Sequence, residues 1–346
     1  MDKLVSALFF FTMFPLIIYG QDTTKKVKIL PVPTLGYSPE TKTYIGAVSL
    51  LTIDLYQDSL TRISNGKLEF NYTWNKQIIL ESEWNYFFKA ERWFTKGKVH
   101  YSKYPDFYYG IGANTPDSAK LLYNCNRIIY EAYVLKNIGN YFFTGINVKY
   151  GDYRNVSSKG FNSFPELTDN LSFGLGYSLL RDSRDNLLTP SKGIYFNFNA
   201  SYNFSNHNFG ESTIDIRCYK TWNGKLTWAS RLFNESNFGN PPFYELAFLG
   251  GDKYVRGYTY GRYRDKNLTT LQTEVRGTVF WRVGFAAFGG LSDLYNHTFF
   301  TMNMKYNFGI GLRFLVDKLD KTNLRMDYAI GEVGNSGFYI SFGESF

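Results

Sequence analysis

From Gly193 to Phe204 the chain reads G-I-Y-F-N-F-N-A-S-Y-N-F. The even positions Ile194, Phe196, Phe198, Ala200, Tyr202 and Phe204 are apolar, and from Asn197 the odd positions Asn197, Asn199, Ser201 and Asn203 are polar. Successive side chains of a strand point to opposite faces, so this segment has one greasy, aromatic face and one wet face. The alternation recurs and predicts about 16 strands of about ten residues each. They fall near 27–37, 44–56, 66–75, 78–88, 97–107, 127–138, 141–153, 170–182, 193–204, 212–222, 225–236, 271–282, 283–292, 304–315, 322–331 and 337–346. An apolar outside and a polar inside, repeated on this scale, predict an all-β fold, a closed antiparallel transmembrane β-barrel. Closure is a physical requirement, because an open edge in hydrocarbon would leave backbone groups without partners.

The N-terminus reads differently. Lys3 supplies a positive end, Leu4 to Tyr19 a mostly apolar core, and Gly20 a small residue before Gln21. This predicts a secretory signal peptide over 1–20 and a barrel over 21–346. The stretch is short for a membrane span and is followed by the polar QDTTKK. Only Gln21 to Lys26 precede the first strand, so no separate periplasmic domain is expected.

Composition sharpens the picture. Aromatic residues make up 19% of the chain, with 29 Tyr and 32 Phe, and barrels place such residues in girdles at both membrane interfaces. The mean hydropathy of −0.29 fits lumen-facing polar residues diluting the apolar face. The net charge of +8 suggests a basic lumen or a surface facing anionic lipid headgroups. No basic cluster with stacking aromatics stands apart from the strands, so no nucleic-acid partner is expected. Cys125 and Cys218 lie too far apart in the chain to suggest a disulfide framework, and Cys218 falls on an apolar strand face with Ile214 and Ile216. His100, His207 and His297 are scattered and form no catalytic or metal motif. An enzyme, a metal or a cofactor is therefore not expected.

Strand parity assigns the connections. With both termini in the periplasm, the long polar stretches Tyr104–Asn126, Asp152–Asn170, Asn234–Thr269 and Ser292–Asn303 all fall outside the cell. Short turns such as Trp222–Lys225 and Ile138–Asn140 fall inside, the asymmetry expected of such barrels. One inner turn, Arg181–Gly193, is expected to be longer than the rest.

Three local sequences carry candidate chemistry. The longest loop holds Gly250-Gly251-Asp252-Lys253-Tyr254-Val255-Arg256-Gly257-Tyr258. The inner turn three strands earlier holds Arg181-Asp182-Ser183-Arg184-Asp185, then Pro190 and Gly193. The chain closes on Ile340-Ser341-Phe342-Gly343-Glu344-Ser345-Phe346. In this order they resemble the BamA/TamA superfamily of bacterial outer-membrane barrels, with its GG…VRG(F/Y) loop, D-x-R-D…P-x-x-G turn and terminal h-G-x-x-(F/W). The likeness is clearest over 170–346. From the tetrapeptide alone Arg256 reads as a solvated loop arginine. The resemblance implies instead that loop 234–269 folds into the lumen, with Arg256 paired to the wall carboxylate Glu274. An arginine fork and a carboxylate can form two parallel charge-assisted hydrogen bonds. The chain departs from the family at Phe288-Gly289-Gly290, where many members read F-x-D-x-G. The turn around Asp182, Arg184 and Asp185 reads as a brace of the periplasmic rim, shaped by Pro190 and Gly193. Phe338, Ile340, Phe342 and Phe346 are expected on one face, and the terminal aromatic resembles the signal read by the barrel assembly machinery.

The first strand carries Pro31 and Pro33, whose missing N–H groups share one edge. Either that edge makes a weak seam with the last strand, or the strand begins after Pro33. The resemblance implies work in outer-membrane protein insertion, export or surface assembly. Members lacking client-holding periplasmic POTRA domains, as this chain is read to, would need a separate periplasmic protein. The other reading is a channel, receptor or structural barrel plugged by its own loop. Outer-membrane lipids are partners in either case.

Overall fold

The computed structural model describes residues 27–38, 42–74, 76–158, 167–297, 303–317, 321–332 and 334–346; the leader read over 1–20 lies outside the described residues. The strands are β1 (Val27–Ser38), β2 (Lys42–Ile53), β3 (Ser64–Thr73), β4 (Ile78–Phe87), β5 (Trp93–Tyr108), β6 (Leu121–Gly139), β7 (Phe142–Ser158), β8 (Asn170–Asp182) and β9 (Gly193–Phe204). They continue as β10 (Phe209–Trp222), β11 (Leu226–Gly239), β12 (Ala247–Leu249), β13 (Tyr263–Asp265), β14 (Asn267–Phe280), β15 (Val283–Tyr295), β16 (Lys305–Asp317), β17 (Thr322–Ile330) and β18 (Ser336–Phe342). Sixteen of them form one sheet in chain order, each antiparallel to the next, while β12 and β13 pair separately as a small hairpin. Sequential antiparallel pairing needs only short connections, which is why neighbours in sequence are neighbours in the wall.

The burial of β9 shows what the wall separates. Tyr195, Asn197, Asn199, Ser201 and Asn203 are buried, whereas Ile194, Tyr202 and Phe204 are exposed. The same inversion runs round the sheet: Ile310 is 69% exposed and Ile45 60%, while Asp327 is fully buried. Moving apolar groups out of water lowers the free energy, so such a surface is stable only against another apolar medium. Polar groups instead face inward, where they bond one another between neighbouring strands along the lumen wall. Asn199 Nδ2 donates to Thr213 Oγ1 at 2.9 Å and Asn147 Nδ2 to Ser178 Oγ at 2.8 Å.

Several expected boundaries move. The wall strands run further out, so the connections are 109–120 and 240–266, and residues 234–239 and 267–269 belong to the wall. The β2–β3 connection, 54–63, is as long as the 183–192 turn, because β2 stops at Ile53 and β3 starts at Ser64. Both proline positions lie inside β1, in register with Ser49 and Ala47 of β2. Phe346 is not on the outer face with Phe338 and Ile340. The chain leaves β18 at Gly343, whose φ of 77° is a left-handed conformation that suits glycine. The turn brings Phe346 inward to be buried with Tyr219 and Ala229.

The sheet curls until β1 lies beside β18, with backbones within 8 Å. No ladder joins these two strands among the described residues.

Candidate functional site

The connection between β11 and β14 descends into the lumen and crosses it. At its outer end Phe243 packs against Tyr108 and Tyr123 of β5 and β6, and Tyr244 stacks on Tyr153 of β7 with ring centroids 4.4 Å apart. Next comes the hairpin β12–β13. Its residue Arg264 accepts a backbone bond from Gly112 at 2.6 Å, and Arg262 reaches Asp117 at 2.7 Å. The 109–120 loop is thereby clasped over the lumen loop. Deeper still lies the tight turn 251–258, closed by Gly251 N–H to the Tyr258 carbonyl at 3.1 Å.

Val255, Arg256, Gly257 and Tyr258 are all buried at the bottom of this loop. Gly257 has φ 104°, and a Cβ there would sit 2.9 Å from the backbone of Ile330. Only glycine allows the loop that close to the wall. Tyr258 lies against Gly331, donates to the Tyr306 carbonyl at 2.7 Å and accepts from Glu332 N–H at 3.0 Å. Tyr339 of β18 accepts from Gly257 N–H at 2.9 Å. The motif therefore rests on the last strand of the wall itself.

Arg256 Nη2 donates to Glu274 Oε2 at 2.7 Å, and its Nη1 bonds Asp327 on β17. Glu274 also takes Arg313 at 3.2 Å and lies 3.6 Å from Arg276. Asp327 takes Arg313 at 2.5 Å and Arg325 at 3.0 Å. Arg325 in turn grips Asp252 of the loop at 2.5 and 2.6 Å, and Arg313 and Arg276 meet Glu344 at 2.8 and 3.7 Å. Arginines 256, 276, 313 and 325 thus face carboxylates 252, 274, 327 and 344, and the charges balance. Burying an ion is costly unless its partners are held in good geometry, and a closed, neutral network meets that condition. Burial alone would push the Asp252 carboxyl up; the Arg325 guanidinium more than offsets it and holds the group below the usual range.

The turn 183–192 completes the floor. Arg184 forks onto Asp182 with two bonds of 2.8 Å, and Asp182 also lies 3.7 Å from Arg62 of the β2–β3 connection. Asp185 accepts the backbone amides of Ser191 and Lys192 at 2.8 and 3.1 Å. Burial raises its carboxyl, the Ser191 bonds outweigh that, and the group stays below its ordinary value. The Pro190 carbonyl accepts from Arg276, so the turn is wired into the arginine network. Gly193 has φ 111° where the turn passes Ser183. Glu344 N–H donates to the Leu188 carbonyl at 2.8 Å, which binds the segment after Phe342 and Gly343 to this turn.

Sequence reasoning named Arg256 and Glu274 but missed Asp327, Arg313, Arg325, Asp252, Arg276 and Glu344. A signal existed for some. Arg325 and Asp327 stand at the inward positions of β17, between the outward Leu324, Met326 and Tyr328, and charge on an inward face asks for a countercharge. Nothing in the chain marks which one.

A membrane-type wall, a lumen loop pinned by an arginine and a turn closing one mouth define a class: transmembrane β-barrels with an internally locked loop. A family model for the Omp85 superfamily domain matches residues 59–346, and the chain belongs to that superfamily. Its barrels reside in the bacterial outer membrane. The fold is similar to BamA from Haemophilus ducreyi lacking POTRA domains 1–3, with a TM-score of 0.56 and 12% identity, over 92% of this chain and 70% of that one. It is similar to CdiB from Acinetobacter baumannii at the same score and identity, over 91% of this chain and 60% of that one. No curated protein matches the chain.

Proposed function

We propose that this barrel assists the insertion, export or surface assembly of proteins at the outer membrane, and that it does so by parting at the β1–β18 seam. One observation carries the reading: among the described residues β18 has no ladder to β1, yet its Tyr339 holds the lumen-loop motif through Gly257. A change in loop seating would act directly on the seam strand. The two prolines of β1 lower the number of N–H donors available to any partner along one of its edges. The short turns and the segment 343–346 face the periplasm in this reading, and the 109–120 and 240–266 connections face outward. The barrel has no catalytic role, and a separate periplasmic protein delivers its clients.

Depletion of the protein followed by quantification of the outer-membrane proteome tests the assignment, and loss of a specific set of surface proteins is expected. Paired cysteines, one on β1 and one on β18, test the mechanism. Full fitness with the seam crosslinked would exclude lateral opening.

A second reading is favoured by the polar inner wall and by a loop seated in the lumen through ion pairs. In it the protein is a plugged channel, receptor or structural barrel. A large, steady conductance in planar bilayers, with an unchanged proteome on depletion, would select it.

A further inference from the structure

The rim that carries the short turns bears a second pattern, on the outer surface. Lys136 points outward between Val134 and Ile138 of β6 and stands directly opposite Trp93 of β5. Arg181, at the end of β8, stands opposite Phe142 of β7, its guanidinium 5.4 Å from the ring centroid. Lys220 of β10 stands opposite Trp228 of β11, and its ammonium is 5.6 Å from the Trp222 ring. Arg282, in the β14–β15 turn, is 5.3 Å from Trp281. Four cations thus sit each with an aromatic along the rim from β5 to β15. Trp93, Trp222, Trp228 and Trp281 are four of the chain's six tryptophans.

Among the described residues, the carboxylates of this rim are engaged elsewhere. Asp54 accepts Gln57 N–H at 3.0 Å, and Asp58 accepts the amides of Leu60 and Thr61 at 2.9 and 2.7 Å. Glu91 is forked by Arg62, Asp182 by Arg184, and Asp185 by the amides of its own turn. No ion pair to the four cations occurs among the described residues. The Nε atoms of Arg181 and Arg282 are buried with no hydrogen-bond acceptor.

An aromatic ring prefers the headgroup level of a bilayer, and a long cationic side chain beside it reaches toward the phosphates. A phosphate oxygen gives guanidinium or ammonium a charge-assisted bond, while the ring face steadies the cation. We propose that this outer ring is a binding site for the phosphates of anionic glycerophospholipids of the phosphatidylglycerol type. The orientation given under Proposed function, on which this identity rests, decides which leaflet supplies them, the periplasmic one. It also makes phospholipid, rather than the phosphates of lipid A, the ligand.

The test uses the full protein in phosphatidylcholine vesicles carrying equal mole fractions of brominated phosphatidylglycerol or brominated phosphatidylcholine. Bromine quenches tryptophan at contact, and the ring holds most of the tryptophans. Stronger quenching by phosphatidylglycerol is expected, each cation near an anionic surface enriching the lipid about fivefold. The preference should shrink at high salt. It should vanish in a variant combining Lys136→Gln, Arg181→Gln, Lys220→Gln and Arg282→Gln. Equal quenching by the two lipids would overturn the proposal, as would a preference indifferent to salt or surviving the four changes. Displacement of phosphatidylglycerol by equimolar lipid A would also overturn it. If the combined variant does not fold, the salt series on the unaltered protein decides. A cysteine at Asn140 that is labelled on intact cells by an impermeant reagent would reverse the orientation and overturn phospholipid as the cellular ligand, while the quenching preference would still report the phosphate site itself.

Discussion

The guanidinium of Arg256 lies over the ring of Phe288, 3.4 Å from its centroid. Its two Nη atoms meanwhile point to different strands, one to Glu274 of β14 and one to Asp327 of β17. A planar cation covered on one face and bonded along its edge is a site for arginine alone, since an ammonium offers neither the plane nor the fork. Where the F-x-D-x-G pattern of the resemblance would place an aspartate, this chain has Gly290. The second carboxylate on Arg256 is Asp327, two strands further round the wall.

Truncating Arg256 to Ala takes one cation from two buried carboxylates and leaves the network one positive charge short, and breaking one side of a buried pair costs about 3–5 kcal/mol. Heat-modifiable gel migration should show Arg256→Ala unfolding at a markedly lower temperature than the unaltered barrel. Arg256→Lys should recover little, because one ammonium cannot serve both strands. Equal stability of all three proteins would mean that the network is decorative.

Moving the second carboxylate back should fail. A Cβ at Gly290 would lie 2.8 Å from the Leu271 carbonyl and 2.9 Å from Asn307 Oδ1, so the wall has closed over that position. Asp327→Asn should destabilise by a few kcal/mol, since it removes one acceptor shared by three arginines. Adding Gly290→Asp should make matters worse. Rescue by the second change, read from the same migration assay, would show that the two carboxylate positions are interchangeable.

What the chain disclosed and what it withheld divide along physical lines. Alternation is a local property, so Ile194 to Phe204 reveals its strand and both its faces unaided. The lumen network is not local. Asp252 meets Arg325 across 73 positions and Arg276 meets the Pro190 carbonyl across 86, and no periodicity links such pairs. The inward turn of Phe346 escaped for another reason. The odd–even rule counts residues along a strand, and Gly343 ends the strand before the count is complete.

Phe346 should matter to stability in its own right. Its ring is 3% exposed among Tyr219 and Ala229, and its carbonyl accepts from Arg276 at 3.4 Å. Emptying such a site costs about 3–5 kcal/mol for a phenylalanine-to-alanine change. Phe346→Ala should therefore lower the unfolding temperature of protein refolded in detergent, where no assembly machinery is present. A loss of insertion in cells with unchanged stability in detergent would assign the residue to recognition alone.

The outer anchor of the lumen loop should loosen as pH rises. Burial, and then the nearby charge of Glu211, push the Glu245 carboxyl above its ordinary value, while a 2.9 Å bond to Ser172 and the ammonium of Lys149 pull the other way without prevailing. A group raised on docking binds its proton more tightly in the docked state. Its contribution is complete below the undocked value of about 4.3 and is lost as pH climbs through the docked one. Hydrogen exchange of residues 243–249, corrected for the intrinsic base-catalysed rate, should accelerate over that window. Glu245→Gln keeps the bond to Ser172 but cannot ionise, so its exchange should stay slow and flat. Identical pH profiles in the two proteins would show that the anchor is held by Phe243 and Tyr244 alone.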